Sequence, residues 1–166
     1  MVGKRDFDIN LEETTMVYLQ SMKIVNWENT NASKLALKLT EHSTSDEERI
    51  KEIYSYIVNN ITYDLDKPNN ITNNYVPDLD EVMEASKGIC YDYAALFGGM
   101  MRSIGIPTKL VMGYKDDIKG YHAWNEVYIN GNWTTIDTTY DSCYRNNGME
   151  FNMIKDKKNY TKDKEY

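Results

Sequence analysis

Two cysteines, two histidines and the lack of any long apolar run are the first facts of this 166-residue chain, and each scarcity removes a class of protein. Two cysteines cannot build the disulfide framework of a small stapled scaffold. Cys90 and Cys143 either form one bridge or stay free thiols, and the sequence does not choose between these. The longest apolar run, Ala94 to Met101, includes two glycines and falls far short of the roughly 20 residues that cross a bilayer. No membrane span is expected. Basic residues are not clustered, and 19 Lys plus Arg against 26 Asp plus Glu gives a net charge of −7. Such a chain repels phosphate backbones, so nucleic acid is a poor partner. No C-x-x-C or H-E-x-x-H spacing is present, which disfavours a zinc site, and no cofactor is expected. The first residues carry charge with no apolar stretch behind them, unlike a signal peptide.

What is present is an ordinary globular composition, 41% hydrophobic and 27% charged, at the length of one domain. There is no internal repeat and no low-complexity linker. The first thirty residues are ambiguous: Phe7, Ile9 and Leu11 alternate as in a strand, while Met16, Leu19, Met22 and Lys23 fit a helix no better than chance. Leu35, Ala36 and Leu39 suggest a helix over 32–39. Ser45 and Glu48 form a capping box ahead of Ile50, Ile53, Tyr54, Ile57 and Ile61, which predicts a helix to about Asn60. Pro68 to Asn74 reads as a loop. A short helix from Pro77 to Ser86 is expected to close at Gly88, and a second one to run from Cys90 to about Ser103. Thr108 to Met112 is β-like and 115–120 a polar loop. Tyr121–Ile129 and Trp133–Thr139 read as two strands around Asn130-Gly131, a strong hairpin signal. Beyond Asp141 the pattern fades, and the lysines from Lys155 to Lys164 alternate with acids like a solvated tail. Helices followed by an antiparallel sheet argue an α+β fold.

Three residues carry the chemical interest. Cys90 opens a predicted helix, where unpaired amides and the positive dipole end favour a thiolate, the nucleophilic form. His122 sits on the first hairpin strand. With Ile129 paired to Asn132, the register sets Trp124 opposite Asp137 and His122 opposite Thr139. His122 and Asp137 are then diagonal neighbours on one face, and Ala123, Val127, Ile129 and Ile136 form the apolar face. A carboxylate holding a histidine that activates a cysteine is triad logic. Trp124 and Trp133 read as an aromatic pair across the hairpin, with Trp124 and Tyr91 as candidates for lining a substrate groove. His42 reads as a solvated surface residue, and Cys143 as inert or as an oxidative partner of Cys90.

These residues also carry a resemblance. Gly-Ile-Cys-Tyr-Asp-Tyr-Ala-Ala-Leu (88–96), Gly-Ile-Pro-Thr-Lys (105–109), Gly113-Tyr114, His-Ala-Trp-Asn-Glu-Val-Tyr (122–128), Trp133 and Asp137-Thr138 resemble the core of the transglutaminase-like superfamily. Tyr54 to Asp64 resembles the segment preceding that core, so the likeness spans about 50–142. It implies a papain-related fold, a single domain over 1–166 with a helical extension over 1–49, and Cys90, His122 and Asp137 as nucleophile, base and orienting carboxylate. It further implies acyl-enzyme chemistry on a protein or peptide amide: transamidation, deamidation or hydrolysis. The oxyanion-stabilising tryptophan of the animal crosslinking enzymes has no clear counterpart. Tyr63, 27 residues before Cys90, is the candidate second donor, with Trp27 the weaker one. The alternative is a protein- or cell-wall-binding module that keeps the fold without turnover. The segment 151–166 is similar to the ends of secreted bacterial members, so an extracellular or cell-surface home is expected, with the cytoplasm as the alternative.

Overall fold

The computed structural model describes residues 11–72 and 74–166. Phe7 and Ile9 lie outside them, and Leu11, expected to end a strand, opens helix α1 (Leu11–Met16). Helix α2 (Asn31–Leu39) follows, capped by the Thr30 hydroxyl on the Ser33 amide. Helix α3 (Asp46–Asn60) is capped by Ser45, whose hydroxyl accepts the Glu48 amide at 3.2 Å. The return bond lands one residue early, on the Thr44 amide at 2.7 Å. Its buried stripe is Ile50, Ile53, Tyr54, Ile57 and Val58.

Helix α4 (Leu79–Ala85) ends at Ser86, which takes the left-handed conformation expected of Gly88 (φ 51°). Gly88 instead belongs to a two-residue strand. β1 (Thr62–Tyr63) and β2 (Lys87–Gly88) run parallel, with Tyr63 opposite Gly88. This pairing brings Tyr63 to the start of helix α5 (Cys90–Ser103), whose bounds match the sequence reading. α5 is the axle of the fold: every residue from Asp92 to Arg102 is buried. Side chains such as Leu96 and Phe97, both 0% exposed, each contribute about 1.5–3 kcal/mol by leaving water.

Against α5 lies an antiparallel sheet ordered β5-β4-β3-β6: β3 (Thr108–Lys115), β4 (His122–Ile129), β5 (Asn132–Ile136) and β6 (Tyr160–Glu165). The hairpin turns at Asn130 and Gly131, both at positive φ (51° and 77°), and Ile129 pairs with Asn132 as the sequence predicts. Two expectations fail beyond it. β5 stops at Ile136, and helix α6 (Thr138–Asn146) begins where continued strand, then fading pattern, was expected. The expected solvated tail holds edge strand β6, paired to β3. Its residues from Thr161 to Glu165 have exposed side chains, so apolar periodicity had nothing to report. Lysines along that edge also discourage pairing with another chain.

β3 and β6 approach closely at Gly113. A Cβ there would lie 2.1 Å from the Thr161 carbonyl oxygen and 3.0 Å from the Asp163 amide nitrogen. Backbone cannot yield as a side-chain tip can, so Gly113→Ala must part the two strands. We expect it to lower stability by about 1–3 kcal/mol in urea denaturation. An unchanged midpoint would mean that β6 is not paired in this register.

Candidate active site

Cys90 is the first residue of α5, and its surroundings explain why the helix begins there. The preceding Ile89 is extended (φ −91°, ψ 174°) and has no polar side chain to cap the helix. Asp92 makes the reciprocal bond of a capping box instead: its Oδ2 accepts the Ile89 amide at 2.8 Å. Asp92 is 0% exposed, and it also receives the Tyr75 hydroxyl and an ion pair from Lys67 Nζ at 2.7 Å. Gly88 makes room for this, since a Cβ at that position would meet the Asp92 Cβ at 2.6 Å. The Cys90 amide thus sits among the orphan donors at the positive end of the helix dipole.

His122 opens β4 opposite Gly113 and is 4% exposed. Asp137 lies where β5 turns into α6 and caps that helix, its Oδ1 accepting the Tyr140 amide at 3.0 Å. Its Oδ2 lies 2.8 Å from His122 Nε2 and accepts the Tyr160 hydroxyl at 3.0 Å. The expected contact between His122 and Asp137 is therefore present, but a helix cap makes it in place of a continued ladder. Burial alone would lower the basicity of His122. The charge and hydrogen bond of Asp137 prevail, aided by Cys90, and push the ring up to about 10 from its ordinary 6.5.

A cleft of about 310 Å³ opens over these groups. Cys90, His122 and Tyr63 line it, with Thr139, Tyr140, Cys143 and Tyr144 from α6 and Ile118, Lys119 and Tyr121 from the β3–β4 loop. Burial, then the charges of Cys90 and Cys143, pushes the Tyr63 phenol up, as expected of a side chain beside both thiols. Both cysteines are free. Burial and nearby Asp137 push the Cys143 thiol up. Other sequence candidates stand apart from the cleft. Trp124 is 2% exposed and packs on Tyr160, with ring centroids 5.0 Å apart. It does not pair with Trp133, which meets Tyr128 and Tyr18. Tyr91 packs edge-on against Tyr75. Trp27 donates its indole N–H to the Leu19 carbonyl. His42 is solvated, as expected.

Asp92, Lys67 and Tyr160 escaped the sequence reading. Asp92 had a signal, an acid at the third position of a helix whose cap residue cannot cap. Lys67 and Tyr160 had none, because the sequence around Lys67 and that of β6 carry no periodic pattern. Among the described residues no group of three or more His, Cys, Asp or Glu could hold a metal ion, and no helix is long and apolar enough to cross a membrane.

A family model described as transglutaminase-like superfamily matches residues 33–138. The chain belongs to that superfamily. Among curated proteins of this kind, the kyphoscoliosis peptidases of Mus musculus and Homo sapiens are 31% and 30% identical over 121 and 120 residues. The match covers 66% of this chain but 18% of each of those proteins, so the chain spans a small part of their length. Among solved structures, a candidate cysteine protease from Cytophaga hutchinsonii superposes with TM-score 0.67 at 24% identity, covering 93% of this chain and 47% of that one. The periplasmic domain of TgpA from Pseudomonas aeruginosa gives TM-score 0.64 at 21% identity, covering 83% and 51%. These superpositions establish the shared transglutaminase-core fold.

The raised His122 has a consequence for stability. A group that gains basicity on folding stabilises the protein fully below its unfolded value, here near 6.5, and loses that contribution as pH rises towards about 10. Urea midpoints should therefore fall from pH 6.5 to 10 more steeply in the wild type than in Asp137→Asn. Parallel profiles would show that the two side chains are not coupled.

Proposed function

We propose that this transglutaminase-like protein is a cysteine-dependent acyl-transfer enzyme acting on protein or peptide amides. The observation that carries the reading is the 2.8 Å contact between His122 and Asp137 beside the cleft that Cys90 and His122 line. Asp137 engages Nε2, which leaves Nδ1 as the nitrogen that exchanges a proton with the Cys90 thiol. A basicity near 10 favours imidazolium at neutral pH, the partner that stabilises a thiolate.

In the forward step Cys90 Sγ attacks the amide carbonyl, and negative charge develops on its oxygen. The Cys90 amide, at the dipole end of α5, and the Tyr63 hydroxyl are the donors assigned to that oxygen. His122 then delivers its proton to the leaving amine, and a thioester remains on Cys90. Asp137 keeps the ring oriented. Lys119 and Tyr121 at the cleft rim are exposed, so water reaches the thioester. Hydrolysis is the outcome we assign, and a primary amine in excess would divert the thioester to transamidation. The name peptidase on the curated relatives supports this choice. The periplasmic neighbour supports a place outside the cytoplasm, as an extracellular or cell-surface protein.

The test is incubation with an unfolded protein substrate, with and without a fluorescent primary amine, reading new N-termini and incorporated label by mass spectrometry. Wild type should generate new N-termini, and Cys90→Ala should lose at least about 1,000-fold in rate. Tyr63→Phe should lower kcat about 100-fold with little change in KM. Cleavage by Cys90→Ala at the wild-type rate would overturn the proposal.

A further inference from the structure

Beside Cys90 lies a second buried charge system that the steps above do not use. The Asp92 carboxylate, two residues along α5, is completely excluded from solvent. It is bonded to the amide of Ile89, the residue that abuts Cys90. A buried negative charge two residues along the same helix, bonded to the amide next to Cys90, opposes a thiolate there. The helix dipole must then stabilise two anions instead of one. Lys67 relieves this. Its ammonium is 2.7 Å from Asp92 Oδ2 and lies 4.7 Å from the centre of the Tyr75 ring. Tyr75 in turn donates its hydroxyl to the other Asp92 oxygen. Lys67 itself is fixed from below, because Asp64 Oδ1 accepts its amide at 3.1 Å. The ammonium is therefore held in place, with its side chain only 24% exposed.

We propose that Lys67 is a positioning residue for the acyl-transfer reaction proposed above: by neutralising buried Asp92, it preserves the thiolate fraction of Cys90. The other titratable groups facing Cys90 across the cleft are His122 from β4, Tyr63 from β1, Cys143 and the tyrosines of α6, and Lys119 and Tyr121 from the β3–β4 loop. Lys119 is exposed to solvent, and water screens its effect. Lys67 is less exposed, with 24% of its side chain open to water, and sits directly on Asp92, so its charge is screened less. The segment after β1 that carries Lys67 thereby tunes the nucleophile.

The experiment is iodoacetamide alkylation of Cys90 against pH, with the modified cysteine located by mass spectrometry, in four proteins. In wild type, alkylation should have its midpoint well below the free-thiol value of about 8.5. Lys67→Gln should raise the midpoint by about one unit, a roughly tenfold slower reaction at any pH below both midpoints. Lys67→Arg should keep the wild-type profile. Lys67→Gln combined with Asp92→Asn should return towards it, because the amide oxygen still accepts the Ile89 N–H while the uncompensated charge is gone. If Lys67 merely staples the loop, the double variant would be no better than Lys67→Gln, and the proposal is overturned. An unmoved midpoint in Lys67→Gln overturns it equally. Should wild-type Cys90 titrate as a free thiol, the failure lies with the acyl-transfer reading itself, and this proposal falls with it.

Discussion

A single buried carboxylate, Asp137, is the constraint on which the rest of the site depends. It stands where the hairpin ends and α6 begins, and it performs both local and distant tasks. Through Oδ1 it caps α6, and through Oδ2 it binds His122 and Tyr160. The helix it starts supplies Thr139, Tyr140, Cys143 and Tyr144 to the cleft wall, so one residue sets both His122 and the cavity facing it. Breaking a buried, hydrogen-bonded charge pair of this kind typically costs about 3–5 kcal/mol. Function and stability are thus coupled at this position, which is why the pH dependence of folding reports on a group proposed for catalysis.

Burying such a charge requires the surroundings to be arranged around it. Asp141, one helical turn beyond Asp137 and also 0% exposed, is held by Lys155 and by the Tyr54 hydroxyl at 2.8 Å. Burial nevertheless pushes Asp141 up to about 6, and the charge of Asp137 adds to the effect. On the opposite wall, Arg102 is buried and donates to the main-chain oxygens of Thr108, Gln20 and Tyr166. That clamp ties the end of α5 to the sheet and to the segment leading into α2. The fold therefore carries several desolvated charges, each with named partners, around an apolar axle.

Residues whose local chemistry and long-range role agree were legible in the sequence. Ser45 and the isoleucines after it announced α3, Asn130-Gly131 announced the hairpin and its register, and Cys90 announced the start of α5. Asp137 was legible as a neighbour of His122 but not as a helix cap. The residues after it, Thr138 to Asn146, lack the apolar stripe that marks a helix, because much of what α6 buries is polar: Thr138, Thr139, Asp141 and Ser142. β6 was illegible for a related reason, since its backbone pairs while most of its side chains stay in water. Tyr63 could be proposed only through its distance from Cys90, and the structure sets it there by pairing β1 with β2. Lys67 depends on a loop conformation that no local pattern encodes.

The central claim is that Asp137 keeps His122 charged beside Cys90 at neutral pH. Nitrogen NMR of the two histidine side chains across pH 5 to 11 tests it most directly, because protonated and neutral imidazole nitrogens are readily distinguished. The account predicts that His122 remains doubly protonated well beyond neutral pH and titrates near pH 10. Titration of His122 near the ordinary imidazole value of about 6.5 would contradict it.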